Sequence, residues 1–104
     1  KQLIEPICQA SIRRLRWPAK DRPGVILFSN PGSTSKRDKL TIRASYDDGA
    51  TWKHSRVVHP GGSAYSCLVI LKNQGIGALY EKDGYKSIVF ARLDLDWLQS
   101  STQK

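Results

Sequence analysis

The sequence has no methionine, two cysteines, and nine acidic residues against seventeen basic ones in 104 residues. Without an initiator methionine it reads as a chain that has been processed, cut or excised. The missing targeting segment therefore carries no information on where the parent protein works. Cys8 and Cys67 form no Cys-x-x-Cys pair, which removes the usual spacing of a zinc or dithiol site. Both lie in apolar, strand-like runs and read as buried free thiols. A disulfide between them would need an oxidising compartment and neighbouring strands. His54 and His59 follow no ligand spacing and read as surface or loop residues. No metal site and no cofactor is expected. No apolar run approaches the roughly 20 residues that a membrane-spanning helix needs.

The shortage of acid leaves a net charge of +8. Positive charge suits nucleic acid, anionic membranes or acidic ligands. Here it is scattered along the chain. The densest cluster is Arg13, Arg14 and Arg16, beside Trp17. Alternation through Ser11-Ile12-Arg13-Arg14-Leu15-Arg16 puts Arg14 and Arg16 on one strand face, opposite Leu15. Such a face is usually solvated; a phosphate-binding stripe is the other reading.

The length suits one small domain, and the pattern is almost entirely β. Strands are expected over 8–15, 25–29, 40–46 and 53–58, then over 65–71, 76–80 and 87–93. The segment 17–24, with Pro18 and Pro23, reads as a loop, as does the polar stretch 30–39. Leu40, Ile42, Ala44 and Tyr46 alternate with Thr41, Arg43 and Ser45, as in a half-buried strand. Pro60-Gly61-Gly62 reads as a break, 72–75 as a tight turn and 81–85 as a loop. A short helical turn is expected from Asp94. Residues 1–98 form the folded segment and 99–104 a polar, frayed tail.

The octapeptide Ser45-Tyr46-Asp47-Asp48-Gly49-Ala50-Thr51-Trp52 reads S-x-D-x-G-x-T-W, an Asp box. This motif turns one strand into the next and recurs in β-propellers. Asp47 is expected to accept backbone N–H bonds. Gly49 permits the turn, Ser45 and Thr51 complete the motif, and Trp52 packs between strands. Four strands followed by three then resemble one full propeller blade and most of another. A lone blade cannot cover both of its faces. The expected fold is therefore all-β, the C-terminal one to two blades of a larger ring. A small seven-stranded β-sandwich is the alternative.

Numbering the strands of a blade from centre to rim fixes which loops share a side. Arg37 falls in the loop between the second and third strands of the first blade. Tyr65 ends the connection into the next blade, and Glu81 ends that blade's second strand. All three project on one side near the axis. The Asp box lies on the other and is structural.

The run Leu27-Phe28-Ser29-Asn30-Pro31, then Arg37, the Asp box, Gly62-Ser63-Ala64-Tyr65-Ser66-Cys67-Leu68 and Ala78-Leu79-Tyr80-Glu81 resembles the C-terminal part of the exo-α-sialidases (neuraminidases). The resemblance implies a six-bladed propeller that removes terminal α-linked sialic acid with retention. Under it, Arg37 is the third arginine of a triad that grips the substrate carboxylate. Tyr65 is the catalytic nucleophile. Glu81 belongs to the catalytic machinery as the carboxylate that orients another triad arginine. Sialidases depart from the paired-carboxylate scheme and attack with a tyrosine. A carboxylate nucleophile would be repelled by the substrate's own carboxylate; a phenol approaches as a neutral group.

The resemblance also implies missing parts. Two triad arginines, an aspartate acid/base and the glutamate that activates the tyrosine come from earlier blades. Glu5 and Asp21 stand in no motif that replaces them, and Arg22, Arg43 and Arg56 do not match the absent arginines. The isolated chain is thus expected to be inactive. Its partners are a sialic-acid-bearing glycan and the remaining blades; neither nucleic acid nor a membrane segment is implied. The family is secreted, periplasmic or lysosomal, and nothing in these residues chooses among them. Competing readings are a trans-sialidase, which shares the same core residues, and a non-catalytic Asp-box propeller that only binds. A nucleic-acid-binding domain would need exposed aromatics among basic residues on one strand face. Phe28, Trp52 and Phe90 stand instead in contexts that suggest burial.

Overall fold

The computed structural model describes residues 3–84 and 86–100. Six strands run antiparallel in sequence order: β1 (Ser11–Arg16), β2 (Val25–Pro31), β3 (Asp38–Ser45), β4 (His54–Ile70), β5 (Ile76–Lys82) and β6 (Ser87–Leu93). A short helix, α1 (Leu95–Ser100), follows. The fold is all-β, as the alternation and turn residues imply.

β4 is the structural pivot. It has 17 residues. Its first half pairs with β3, its second with β5. The sheet therefore curls, and its two halves face each other. Leu27, Ile42 and Ala44 from one half meet Leu68, Ile76 and Ala78 from the other, all fully or almost fully buried. Between the halves Ser29 Oγ and Ser66 Oγ share a hydrogen bond of 2.8 Å, so the two buried hydroxyls satisfy each other. Leu98, fully buried, anchors α1 to this core.

The break expected at Pro60-Gly61-Gly62 does not occur, so seven strands become six. Leu40 pairs with His59 and Asp38 with Gly62, leaving Pro60 and Gly61 opposite Lys39 alone. Lys39 takes φ 58°. A bulge needs no ladder N–H from its extra residue, so proline is accommodated there. The first strand starts later than expected, at Ser11, and Leu15 sits in a register shift between Arg14 and Arg16. β5 extends through Lys82 into what reads as a loop. Gln99 and Ser100 belong to α1 and are not a frayed tail. The Gln99 amide donates to the Tyr46 hydroxyl. The rest of the expected tail, 101–104, and Tyr85 of the expected 81–85 loop lie outside the described residues.

Several burial expectations are also corrected. Cys67 is exposed and Cys8 half-buried, both as free thiols. Alternation puts Leu68 in the core and Cys67 on the opposite face of β4. Phe90 is exposed for the same reason: nothing described covers the outer face of β4–β6, where Tyr65, Val69, Leu79 and Ile88 are exposed too. Phe28 and Trp52 are half-buried against each other, with ring centroids 5.9 Å apart. His54 and His59 lie within β4, half-buried, and not in loops.

Candidate functional site

The 45–52 turn is held by local hydrogen bonds. Thr51 donates its backbone N–H to Asp47 Oδ1 (2.8 Å) and its hydroxyl to Oδ2 (2.6 Å). Ser45 Oγ donates to Asp47 Oδ1 at 2.8 Å and accepts the Gly49 N–H at 2.8 Å. These donors, the Thr51 hydroxyl first, hold the Asp47 carboxyl down at about 2. Gly49 takes φ 94°, a left-handed conformation that side chains resist. Asp48 Oδ1 accepts from Arg14 Nη2 at 3.1 Å, and Arg14 lies 4.3 Å from the Trp17 ring centre. Arg16 donates to the Pro23 carbonyl. Two members of the basic cluster are thus engaged with this end of the protein itself.

Arg37 lies just before β3, and the 45–52 turn begins at the strand's last residue, Ser45. Eight residues separate the two ends, about 25 Å at strand rise. The Arg37 end gathers the other candidates. The Arg37 guanidinium lies 5.9 Å from the centre of the Tyr65 ring, within cation–π range. Its Nη2 donates to the Ile7 carbonyl at 2.8 Å, and its own carbonyl accepts the Ser63 N–H at 2.9 Å. Arg37 is thereby tied both to the segment before β1 and to β4. Tyr65, about half exposed, extends from β4, and its backbone N–H donates to Glu81 Oε1 at 3.1 Å. The three residues are separated by 28 and 16 positions in sequence and meet through β3, β4 and β5.

Other contributors carry no sequence signal of their own. His59 Nε2 lies 3.2 Å from Asp83 Oδ1, joining β4 to the turn after β5. Asp83 also donates its N–H to the Gly62 carbonyl at 2.9 Å. His59 and Asp83 stand 24 positions apart, so local spacing could not pair them. Cys8 lies in the field of the site: burial pushes its thiol up, Arg37 pulls it down, and Glu81 and Glu5 push it up again. Beside Tyr65 is an open depression of about 460 Å³, lined by Gln9, Cys67, Leu79, Glu81 and Ile88 among others. Among the described residues no group of three His, Cys, Asp or Glu side chains is placed to hold a metal ion. No described helix is long and apolar enough to cross a membrane.

No family model matches the chain. Over 101 residues it is 41% identical to a sialidase of Micromonospora viridifaciens, a match covering 94% of the chain and 15% of that protein. The solved structure of the Hadza microbial sialidase Hz136 superposes with a TM-score of 0.80 at 36% identity, over 94% of this chain and 19% of that one. The chain is a sialidase-type propeller segment. An intramolecular trans-sialidase from Ruminococcus gnavus, solved with oseltamivir carboxylate, matches at 26% identity and a TM-score of 0.70, over 88% of this chain and 23% of that one. The sialidase-type segment thus spans less than a quarter of the length of each of these relatives.

Proposed function

We propose that the sialidase-type segment supplies part of the active site of a retaining glycosidase that removes terminal α-linked sialic acid from glycoconjugates. The observation that carries this reading is the convergence of Arg37, Tyr65 and Glu81 at one end of the sheet. Arg37 binds the substrate carboxylate; a guanidinium fork matches it with two parallel hydrogen bonds. The Tyr65 oxygen attacks the anomeric carbon as the bond to the leaving glycan breaks. The phenolic proton passes to a base, and the leaving oxygen takes a proton from an acid. Both of those groups come from outside this chain. Water then attacks the tyrosyl-sialoside and releases sialic acid with its original configuration.

The exposed outer face of β4–β6 fits a chain that needs further blades. The isolated chain is accordingly proposed to be inactive. In the intact protein, Tyr65→Phe is expected to lower turnover by several orders of magnitude while binding of a sialic-acid analogue survives. Wild-type turnover in that variant would remove Tyr65 from the mechanism.

A second reading rests on the Ruminococcus gnavus match: transfer of the sialosyl group to an acceptor other than water. Incubating the intact protein with sialyllactose separates the two. Free sialic acid as the first product supports hydrolysis; an anhydro or transferred product supports the second reading.

A further inference from the structure

Tyr65 occupies a bulge of β4. Ser63 pairs with Lys82 and Ser66 with Tyr80, so Ala64 and Tyr65 together oppose Glu81 alone. A bulge bends the strand and re-aims the extra side chain, and it leaves one backbone group without its ladder partner. Here Ala64 and Ser66 on either side are buried, whereas Tyr65 turns outward. The chain is pinned before the bulge by the Ser63 N–H on the Arg37 carbonyl and by Asp83 on Gly62. It is pinned after the bulge by the Ser66 hydroxyl on Ser29. Between those points the Tyr65 N–H goes to a side chain, Glu81 Oε1, at 3.1 Å.

We infer that Glu81 is a positioning residue for Tyr65: its carboxylate closes the bulge by accepting the Tyr65 main-chain N–H. This role is distinct from orienting an arginine. A carboxylate has acceptor sites for more than one donor, so the two roles are compatible. Glu81 thereby couples the place of the Tyr65 ring to the place of any cation that its remaining sites bind. The consequence for catalysis rests on the proposed role of Tyr65; the clamp itself does not.

Reach and acceptor chemistry separate the variants. Gln at 81 keeps a carbonyl oxygen at the same distance. Asp keeps the charge but withdraws it by one methylene. Ala removes the acceptor. The test is fragment-resolved hydrogen exchange at the Tyr65 amide in the full-length protein, alongside steady-state kinetics on a sialoside. Loss of a charge-assisted bond is expected to speed exchange by about tenfold or more in E81A and E81D. E81Q is expected to stay within a few-fold of wild type. In E81D, kcat is expected to fall more than KM rises, because a displaced ring affects the reacting geometry before it affects binding. If E81A fails to fold, E81D and E81Q decide the matter. Wild-type Tyr65 exchange in E81D, or E81Q exchanging faster than E81D, overturns the clamp. Absence of sialoside turnover in the wild-type protein, with the exchange pattern intact, overturns the reaction assigned to Tyr65 and supports the clamp.

Discussion

At the residue scale, two titrating groups make opposite local bargains. The Asp47 carboxyl is fully exposed yet held at about 2 by Thr51 and Ser45. Its folded value lies below its ordinary 3.8, so its contribution is present above about pH 4 and fades as pH falls toward 2. Asp47→Asn is expected to be less stable than wild type at pH 5 and to converge with it near pH 2, read by denaturant midpoints. His54 is different. Its Nδ1 is buried without a hydrogen-bond partner, and burial, then Lys53, pushes the imidazole below its ordinary 6.5. The unfolded chain protonates first, so stability falls as pH drops below about 6.5. His54→Phe, which keeps the edge contact with Tyr46, is expected to flatten that part of the stability profile. Arg37 carries the third residue-scale expectation. Arg37→Lys keeps charge but loses the fork, and KM for a sialoside in the intact protein is expected to rise by about 10- to 100-fold, the worth of a charge-assisted hydrogen bond.

At the element scale, β4 and α1 matter most. β4 serves both halves of the sheet because bulges at Pro60-Gly61 and Ala64-Tyr65 let it change partners without stopping. Read locally, Pro60-Gly61-Gly62 means a break; opposite Lys39 in its left-handed conformation it means a bulge. That difference depends on a strand some 20 positions away and is invisible to local pattern. α1 is short, and its hold is tertiary. Leu98 fills the core, and Arg56 Nη1 donates to the Trp97 carbonyl at 2.8 Å. Leu98→Ala is expected to cost about 2–5 kcal/mol, measured by thermal or denaturant unfolding of the intact protein. A helix this short has little intrinsic stability, so loss of its anchor is expected to expose 95–100 to hydrogen exchange before the sheet opens.

At the scale of the whole molecule, the two faces of β4–β6 are unlike. One meets β1–β3 and is buried. The other exposes Val69, Leu79, Ile88 and Phe90 beside Tyr65. A monomeric protein rarely leaves such a patch open without a use for it. The patch and the single candidate substrate arginine at the site lead to one expectation. The 104-residue chain cleaves no sialoside by itself, and activity returns when the remainder of the longer polypeptide is supplied. Turnover of a fluorogenic sialoside by the purified chain alone would contradict that.

Whatever depends on near neighbours is legible from the order of residues. The spacing of Ser45, Asp47, Gly49 and Thr51 specifies a turn that closes on its own hydrogen bonds. The alternation from Leu40 to Ala44 specifies which side of β3 meets the apolar core, though Thr41 and Ser45 on its other side are buried as well, and the ordered set Arg37, Tyr65 and Glu81 named the candidate site's residues through resemblance. The tertiary structure alone decided which faces stay uncovered, and so exposed Cys67 and Phe90. It also decided that His59 meets Asp83, and that Glu81 holds the Tyr65 N–H. The reason is physical: a side chain's burial and partners depend on what the neighbouring strand places opposite it, and register across a bulge is not written in either strand alone.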